Sequence, residues 1–311
     1  MDKPLIAILG PTAVGKSALA LKLAEEFRGE IISADSRQVY RGMDIGTAKP
    51  TREERARVPH HLLDVVNPDE NFSLAEYQQH AFTAINDIRA RGKIPFLVGG
   101  SGLYVRAILD GLAIPRVAPD PARRAQLERM DAAQLYARLQ ELDRAAAEKI
   151  DPRNARRVIR ALEVIEATGE KISAQQKIAP PNYRVLRIGL TLPREKLYAR
   201  INARVDEMIA RGLVDEVRAL IAQPPFGSPL VQGGIEGGAM SGLGYRQIAS
   251  YVKGEIDLDE AVRVLKRDTR RFVHHQYSWF RLDDVRICWF DVSEDRYAEI
   301  REAVTRFLRD E

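Results

Sequence analysis

Residues Gly10-Pro11-Thr12-Ala13-Val14-Gly15-Lys16-Ser17 have the types and spacing of an anion cradle, G-x-x-x-x-G-K-[ST]. Glycines let the backbone turn tightly enough for several N–H groups to face one anion. A helix starting at the loop adds the positive end of its dipole. Lys16 supplies a point charge and Ser17 a hydroxyl suited to Mg2+. The motif stands in the context it requires, after the apolar run Leu5–Leu9 and before the amphipathic stretch Ala18–Phe27. The chemistry implied is polyphosphate binding; the motif does not say which polyphosphate.

Other chemistry-bearing residues fall at the ends of apolar runs. Asp35 follows Glu30–Ala34 and has three readings: an indirect Mg2+ holder, a general base toward an acceptor, or a carboxylate that caps a turn. Ser101 follows Ile94–Val98 and Gly99-Gly100, where a hydroxyl either bonds a substrate or caps the next helix. Arg153, Arg156, Arg157 and Arg160 are spaced i, i+3, i+4, i+7, one stripe of a helix, with Ala155, Val158, Ile159 and Leu162 opposite. Such a stripe suits nucleic-acid phosphates. Arg263–Arg281 interleaves six basic residues with Phe272, Tyr277, Trp279 and Phe280. That mixture suits RNA, although an amphipathic helix burying Trp279 and Phe280 fits those two rings better. His60-His61 and His274-His275 are adjacent pairs without the i, i+4 spacing of a helical metal site.

Elements that could position these residues alternate strand and helix. Strands are expected at Leu5–Leu9, Glu30–Asp35, Ile94–Val98, Val185–Leu190 and Arg286–Phe290, and helices at Leu74–Arg91, Lys196–Ala222 and Leu258–Phe280. The fold class is α/β, a P-loop NTPase-like parallel sheet with helices on both faces. In such sheets ligands sit beyond the strand C-terminal ends, so the loops 10–17, 35–40 and 99–102 should converge. Prolines at 115, 119, 121, 180 and 181 bracket a different, all-helical insertion. The domains read as a core over residues 1–112, an insertion over 113–184 and the returning core over 185–311. Gln232–Gly238 reads as a mobile connection.

Bulk properties agree with that division. The 311 residues are 45% hydrophobic, enough for a substantial core, and no apolar run reaches membrane-spanning length. The single cysteine, Cys288, allows no internal disulfide, and Leu5–Leu9 is too short for a signal peptide, so a cytoplasmic setting is expected. Residues 112–184 hold 14 Lys and Arg against 10 Asp and Glu, which is the whole net charge of +4. A basic insertion on a neutral phosphate-binding core points to a polyanionic second substrate.

Taken in order along the chain, Gly10–Ser17, Asp35-Ser36-Arg37-Gln38-Val39-Tyr40, Asp44–Pro50, Pro59–Asp64, Val98–Tyr104, Arg160–Val164, Gly244-Tyr245-Arg246 and Thr269-Arg270-Arg271 resemble the tRNA dimethylallyltransferase family. The resemblance implies transfer of a dimethylallyl group from dimethylallyl diphosphate to N6 of the adenosine beside the anticodon of tRNA, with Mg2+ as cofactor. It implies that Gly10, Pro11, Thr12, Ala13, Val14, Gly15, Lys16 and Ser17 hold the diphosphate, with Ser17 on the metal. Asp35 would be the general base, Ser101 would hold the adenine amine, and Arg204 would stabilise the leaving group. By the same resemblance Asp35, Ser36, Arg37, Gln38, Ser101, Arg124, Arg156, Arg157, Arg160, Gly244, Tyr245, Arg246, Arg270, Arg271 and Gln276 would contact tRNA, with the target base flipped out of its stack. A monomer binding the anticodon stem-loop, without a membrane, is expected. This chain has Ser101 where the family commonly has Thr, His274-His275 where it has Lys-Arg, and a longer stretch at 232–238. Competing readings are a prenyltransferase for free adenine nucleotides, a P-loop nucleotide kinase or NTPase, and an RNA-binding module with a vestigial loop.

Overall fold

Leu5, Ile6, Ala7, Ile8 and Leu9 are all at most 1% exposed. A strand alternates its side chains between two faces, so both faces of this one are covered, as in a central parallel strand. The computed structural model describes residues 4–115, 117, 120–175, 182–222 and 238–309. The expected prolines at 119, 180 and 181 and residues 232–237 of the glycine-rich stretch lie outside the described residues.

The described residues fall into two compact units, one drawn from residues 1–105 and 182–311, the other from residues 106–181. The first is built on one six-stranded sheet. Its strands are β1 (Pro4–Leu9), β2 (Gly29–Ser33), β3 (His60–His61), β4 (Ile94–Gly99), β5 (Arg184–Thr191) and β6 (Cys288–Asp291). They lie in the order β3-β2-β4-β1-β5-β6, every pair parallel. Ile6 and Ile8 join a core with Ala20 and Leu23 of the helix Lys16–Glu26, Phe96 and Val98 of β4, and Ile188 and Leu190 of β5. On the register, Leu9 stands opposite both Gly99 and Gly189, and Ser33 opposite Val98. Three strands therefore end together, and their loops open side by side.

The histidine pair His60-His61 forms the short edge strand β3. His61 Nε2 lies 2.7 Å from the buried Glu30 carboxylate, which also binds Arg91 and Lys93. Hydrogen bonds from Arg91, His61 and Lys93 outweigh desolvation and hold Glu30 down to about 2. The helix Leu74–Ala90 starts at a capping box between Ser73 and Glu76. The single helical stretch expected over 196–222 is two helices, Arg194–Ala210 and Leu213–Ala222. Gly212 between them has φ +96°, a left-handed conformation that ends the first helix.

The second unit is helical, with main helices Pro121–Glu128, Ala132–Leu142 and Ala155–Thr168, capped by Asp120, Asp131 and Asn154. Leu127, Leu135, Leu139, Val158, Ile159, Leu162 and Ile165 form its own core. Arg153 precedes the third helix and pairs with Asp151 at 2.9 Å. The expected stripe of four arginines is thus reduced to three on the helix itself.

Candidate active site

Left-handed backbone conformations at Gly10 (φ +136°), Ala13 (φ +62°) and Gly15 (φ +104°) wind the segment between β1 and the helix Lys16–Glu26 into a tight loop. At Gly10 a Cβ would lie 2.4 Å from the Leu190 carbonyl oxygen of β5, so glycine is required both by conformation and by close approach. Lys16 Nζ donates to the Pro11 carbonyl at 2.7 Å and closes the loop on itself. Burial, with help from the charge of Arg204 and against that of Asp35, lowers the Lys16 ammonium to about 7. Ser17 is exposed on the first helical turn and lines the same cavity.

That cavity has a volume of about 990 Å3. Its wall carries Thr12, Ala13 and Gly15–Ser17, then Asp35–Gln38 after β2 and Gly99–Ser101 after β4. Arg204 faces it from the helix Arg194–Ala210. Burial lowers the Arg204 guanidinium below its ordinary value, and the charges of Asp35 and Glu207 oppose that shift. Lys16, Arg204 and Asp35 thus form one electrostatically linked group. Ser101 Oγ accepts the Ser36 N–H at 3.0 Å, and Ser101 N–H donates to the Ala34 carbonyl at 3.2 Å. Asp35 Oδ1 accepts the Arg37 N–H at 2.8 Å. The turn-capping arrangement is therefore present, and it engages one carboxylate oxygen of Asp35.

Several residues assigned to RNA contact by resemblance have other partners. Tyr245 is fully buried; its hydroxyl donates to Glu216 Oε1 at 2.6 Å, so it offers no surface to a ligand. Gln276, 3% exposed, accepts the Thr12 N–H at 2.9 Å and donates to the Gly100 carbonyl at 3.1 Å. Arg37 donates to the Gly238 carbonyl and Ser241 Oγ, and Gln38 to the Thr47 and Ala48 carbonyls, so both side chains fasten neighbouring loops. Ser36, Gly244, Arg246 and Arg271 do line the cavity. Arg246 pairs with Asp268 at 3.1 Å, and Arg271, 72% exposed, lies 4.0 Å from the same carboxylate. Arg270 donates to Asn202 Oδ1 at 2.8 Å. Of the rings, Phe280 is buried as expected, but Trp279 is only half-buried and Phe272 reaches the cavity.

In the helical unit Glu163 is 4% exposed and receives both Arg124, in a two-pronged pair at 2.8–2.9 Å, and Arg160 at 3.4 Å. Arg160 also donates to the Val117 carbonyl. These two half-buried arginines hold the buried Glu163, so Arg160, read in the sequence as part of the outward stripe, has intramolecular partners. Arg156 and Arg157 remain exposed.

Two constellations went unread in the sequence. Lys49, 6% exposed, donates to the Tyr40 carbonyl, Asp44 and Asp64 at 2.5–2.7 Å. Burial opposes ionisation of Asp64, but Lys49 and Arg55 prevail and hold its carboxyl below the usual range. Glu216 accepts the backbone N–H groups of Asp44, Ile45 and Gly46 at 2.8–3.1 Å. Together they fix the 44–51 segment on the cavity wall. The spacing Asp44–Lys49–Asp64 was visible; Glu216, remote in sequence, carried no signal.

A glycine loop at the carboxyl edge of a parallel sheet, opposite a carboxylate and a hydroxyl on neighbouring strand ends, defines the class: an α/β protein whose candidate ligand cavity lies at that edge. Residues 38–283 match the model of the IPP transferase family. The chain is 59% identical over 283 residues to a tRNA dimethylallyltransferase of Roseiflexus sp. (strain RS-1), covering 89% of this chain and 90% of that one. It is 47% identical to a tRNA dimethylallyltransferase of Thermomicrobium roseum, covering 99% and 93%. Among solved structures, the full-length tRNA isopentenylpyrophosphate transferase of Bacillus halodurans is 41% identical, with a TM-score of 0.72 and coverage of 99% and 98%. A eukaryotic dimethylallyltransferase acting on tRNA is 30% identical, with a TM-score of 0.85 and coverage of 99% and 80%. The chain belongs to the IPP transferase family.

Proposed function

We propose that this protein transfers the dimethylallyl group of dimethylallyl diphosphate to N6 of the adenosine beside the anticodon in tRNA. The observation that carries this reading is the convergence of Asp35 and Ser101, at the ends of adjacent strands, on the cavity that the glycine loop opens into. The amine nitrogen of adenine attacks the allylic carbon, and the bond from that carbon to the diphosphate oxygen breaks. Its electron pair leaves with the diphosphate, held by loop N–H groups, Lys16 and Arg204. Asp35 takes the proton released from the attacking nitrogen. Ser101 orients the amine. The target base is flipped out of the stack to reach this depth.

A single exposed hydroxyl at Ser17 fits Mg2+, which keeps most of its waters and binds mainly through substrate phosphates. When bound there it supplies charge neutralisation on the departing diphosphate. Arg156 and Arg157 of the helical unit would meet tRNA phosphates, while Arg124 and Arg160 hold that surface in shape. We take the protein to act as a monomer in the cytoplasm, where its RNA substrate is found; among the described residues no helix is long and apolar enough to cross a membrane. Labelled dimethylallyl diphosphate offered with tRNA, AMP or no acceptor tests the reading. Label is expected in tRNA alone; ATP hydrolysis without RNA alkylation would overturn it.

A further inference from the structure

The long helix Leu258–Trp279 passes behind the cavity and carries Gln276 to the seam between two loops of different duty. On one side is Thr12, third residue of the anion loop; on the other is Gly100, the neighbour of Ser101. The amide of Gln276 saturates both contacts, its oxygen accepting from Thr12 N–H and its nitrogen donating to the Gly100 carbonyl. Thr12 N–H is thereby taken out of the set that faces a bound anion. A Cβ at position 100 would lie 2.3 Å from Gln276 Nε2 and 3.3 Å from the Gly10 carbonyl, so the three segments touch with no slack. The helix has little freedom to follow a shift. Val273 is 3% exposed in the sheet core, and Tyr277 Oη hydrogen-bonds Thr191 Oγ1 at 2.8 Å at the end of β5.

We propose that Gln276 is a positioning residue that sets the distance between the diphosphate cradle and the strand end that presents the acceptor amine. This rests on the transfer reading above. Neither ligand needs the brace in order to bind, because each loop keeps its own contacts. The reaction needs it, since nucleophile and allylic carbon must meet in line at van der Waals separation. A misplacement of about 1 Å lowers such a rate by about 100-fold.

Three measurements on the full chain test the proposal. Gln276→Met keeps the volume and removes both hydrogen bonds. It is expected to lower kcat by about 100-fold, with KM for tRNA and the Kd of inorganic pyrophosphate near wild type. Gln276→Glu supplies a readout that a merely structural role would not move. Protonated, the introduced carboxyl donates to Gly100 and accepts from Thr12; ionised, it sets an oxygen against the Gly100 carbonyl. Burial raises its pKa into a testable range, so its kcat relative to wild type is expected to rise as pH falls, and it remains informative should the methionine variant not fold. Backbone amide exchange at Thr12 is expected to be slow in the wild type and fast in Gln276→Met. Wild-type kcat in the methionine variant, a parallel fall of kcat, affinity and Tm, or a glutamate profile that tracks wild type would each overturn the proposal. If the wild-type protein itself fails to label tRNA, the transfer reading has failed, and the proposed brace stands or falls on Thr12 exchange alone.

Discussion

Tyr245 and Glu216 meet at 2.6 Å, phenol to carboxylate, and the same carboxylate gathers three successive backbone N–H groups from residues 44–46. The pair is a clamp on one wall of the cavity. Burial first, then the negative charge of Glu216, pushes the Tyr245 phenol well above its ordinary value, so it stays a hydrogen-bond donor throughout the working range.

Tyr245→Phe is therefore expected to weaken folding by about 1.5–3 kcal/mol, the range for a hydrogen bond to a charged group. Urea unfolding measures the loss. Glu216→Ala should lose more, because it strands the N–H groups of the 44–46 segment. A direct RNA-contact role for Tyr245 would instead give unchanged stability with weaker tRNA binding.

Asp35→Asn is expected to lower turnover at least about 100-fold while leaving tRNA affinity intact. The substitution is clean because an asparagine oxygen can still accept the Arg37 N–H that Asp35 Oδ1 receives. Single-turnover transfer and filter binding separate the two effects, and an unchanged rate would remove Asp35 from the proton-accepting role.

Lys16 predicts a proton linked to anion binding. Its ammonium is lowered to about 7, by burial and Arg204, so above that pH the free protein carries it largely neutral. A bound diphosphate favours the charged form and raises the pKa, so binding well above pH 7 should take up a proton, and binding well below it should not. Calorimetry in buffers of different ionisation enthalpy reads the uptake, with Lys16→Met as the reference that abolishes this share.

Arg157 is exposed, while Arg160 is tied to Val117 and Glu163. Arg157→Gln should weaken tRNA binding, flatten its logarithmic salt dependence by about one unit and leave pyrophosphate binding untouched. Arg160→Gln should instead lower the stability of the helical unit. Equal effects of the two on tRNA affinity, with no change in stability, would restore the outward stripe.

The sequence made the anion loop, Asp35 and Ser101 legible because a parallel sheet forces its strand ends to one edge, and each of these residues follows an apolar run. Arg204 came only through resemblance, since nothing in its own helix sets it apart. Periodicity failed where partners lie on other elements. It sees the spacing of Arg157 and Arg160, but not that Glu163 draws in Arg124 from 39 residues away. It reads Tyr245 as one polar ring, but the Glu216 that claims it sits 29 residues earlier. Gly212 ended a helix that hydrophobic spacing alone would continue.

The Thr12–Gln276 contact joins residues 264 apart in sequence. On the ribosome, the glycine loop is therefore made well before Gln276, the residue that fastens it. β1 likewise waits for β5, on the far side of the helical unit, before its second edge is covered. A nascent chain therefore carries the glycine loop long before it carries the side chain that fastens it, and the Thr12 contact waits until residues 13–275 have been made.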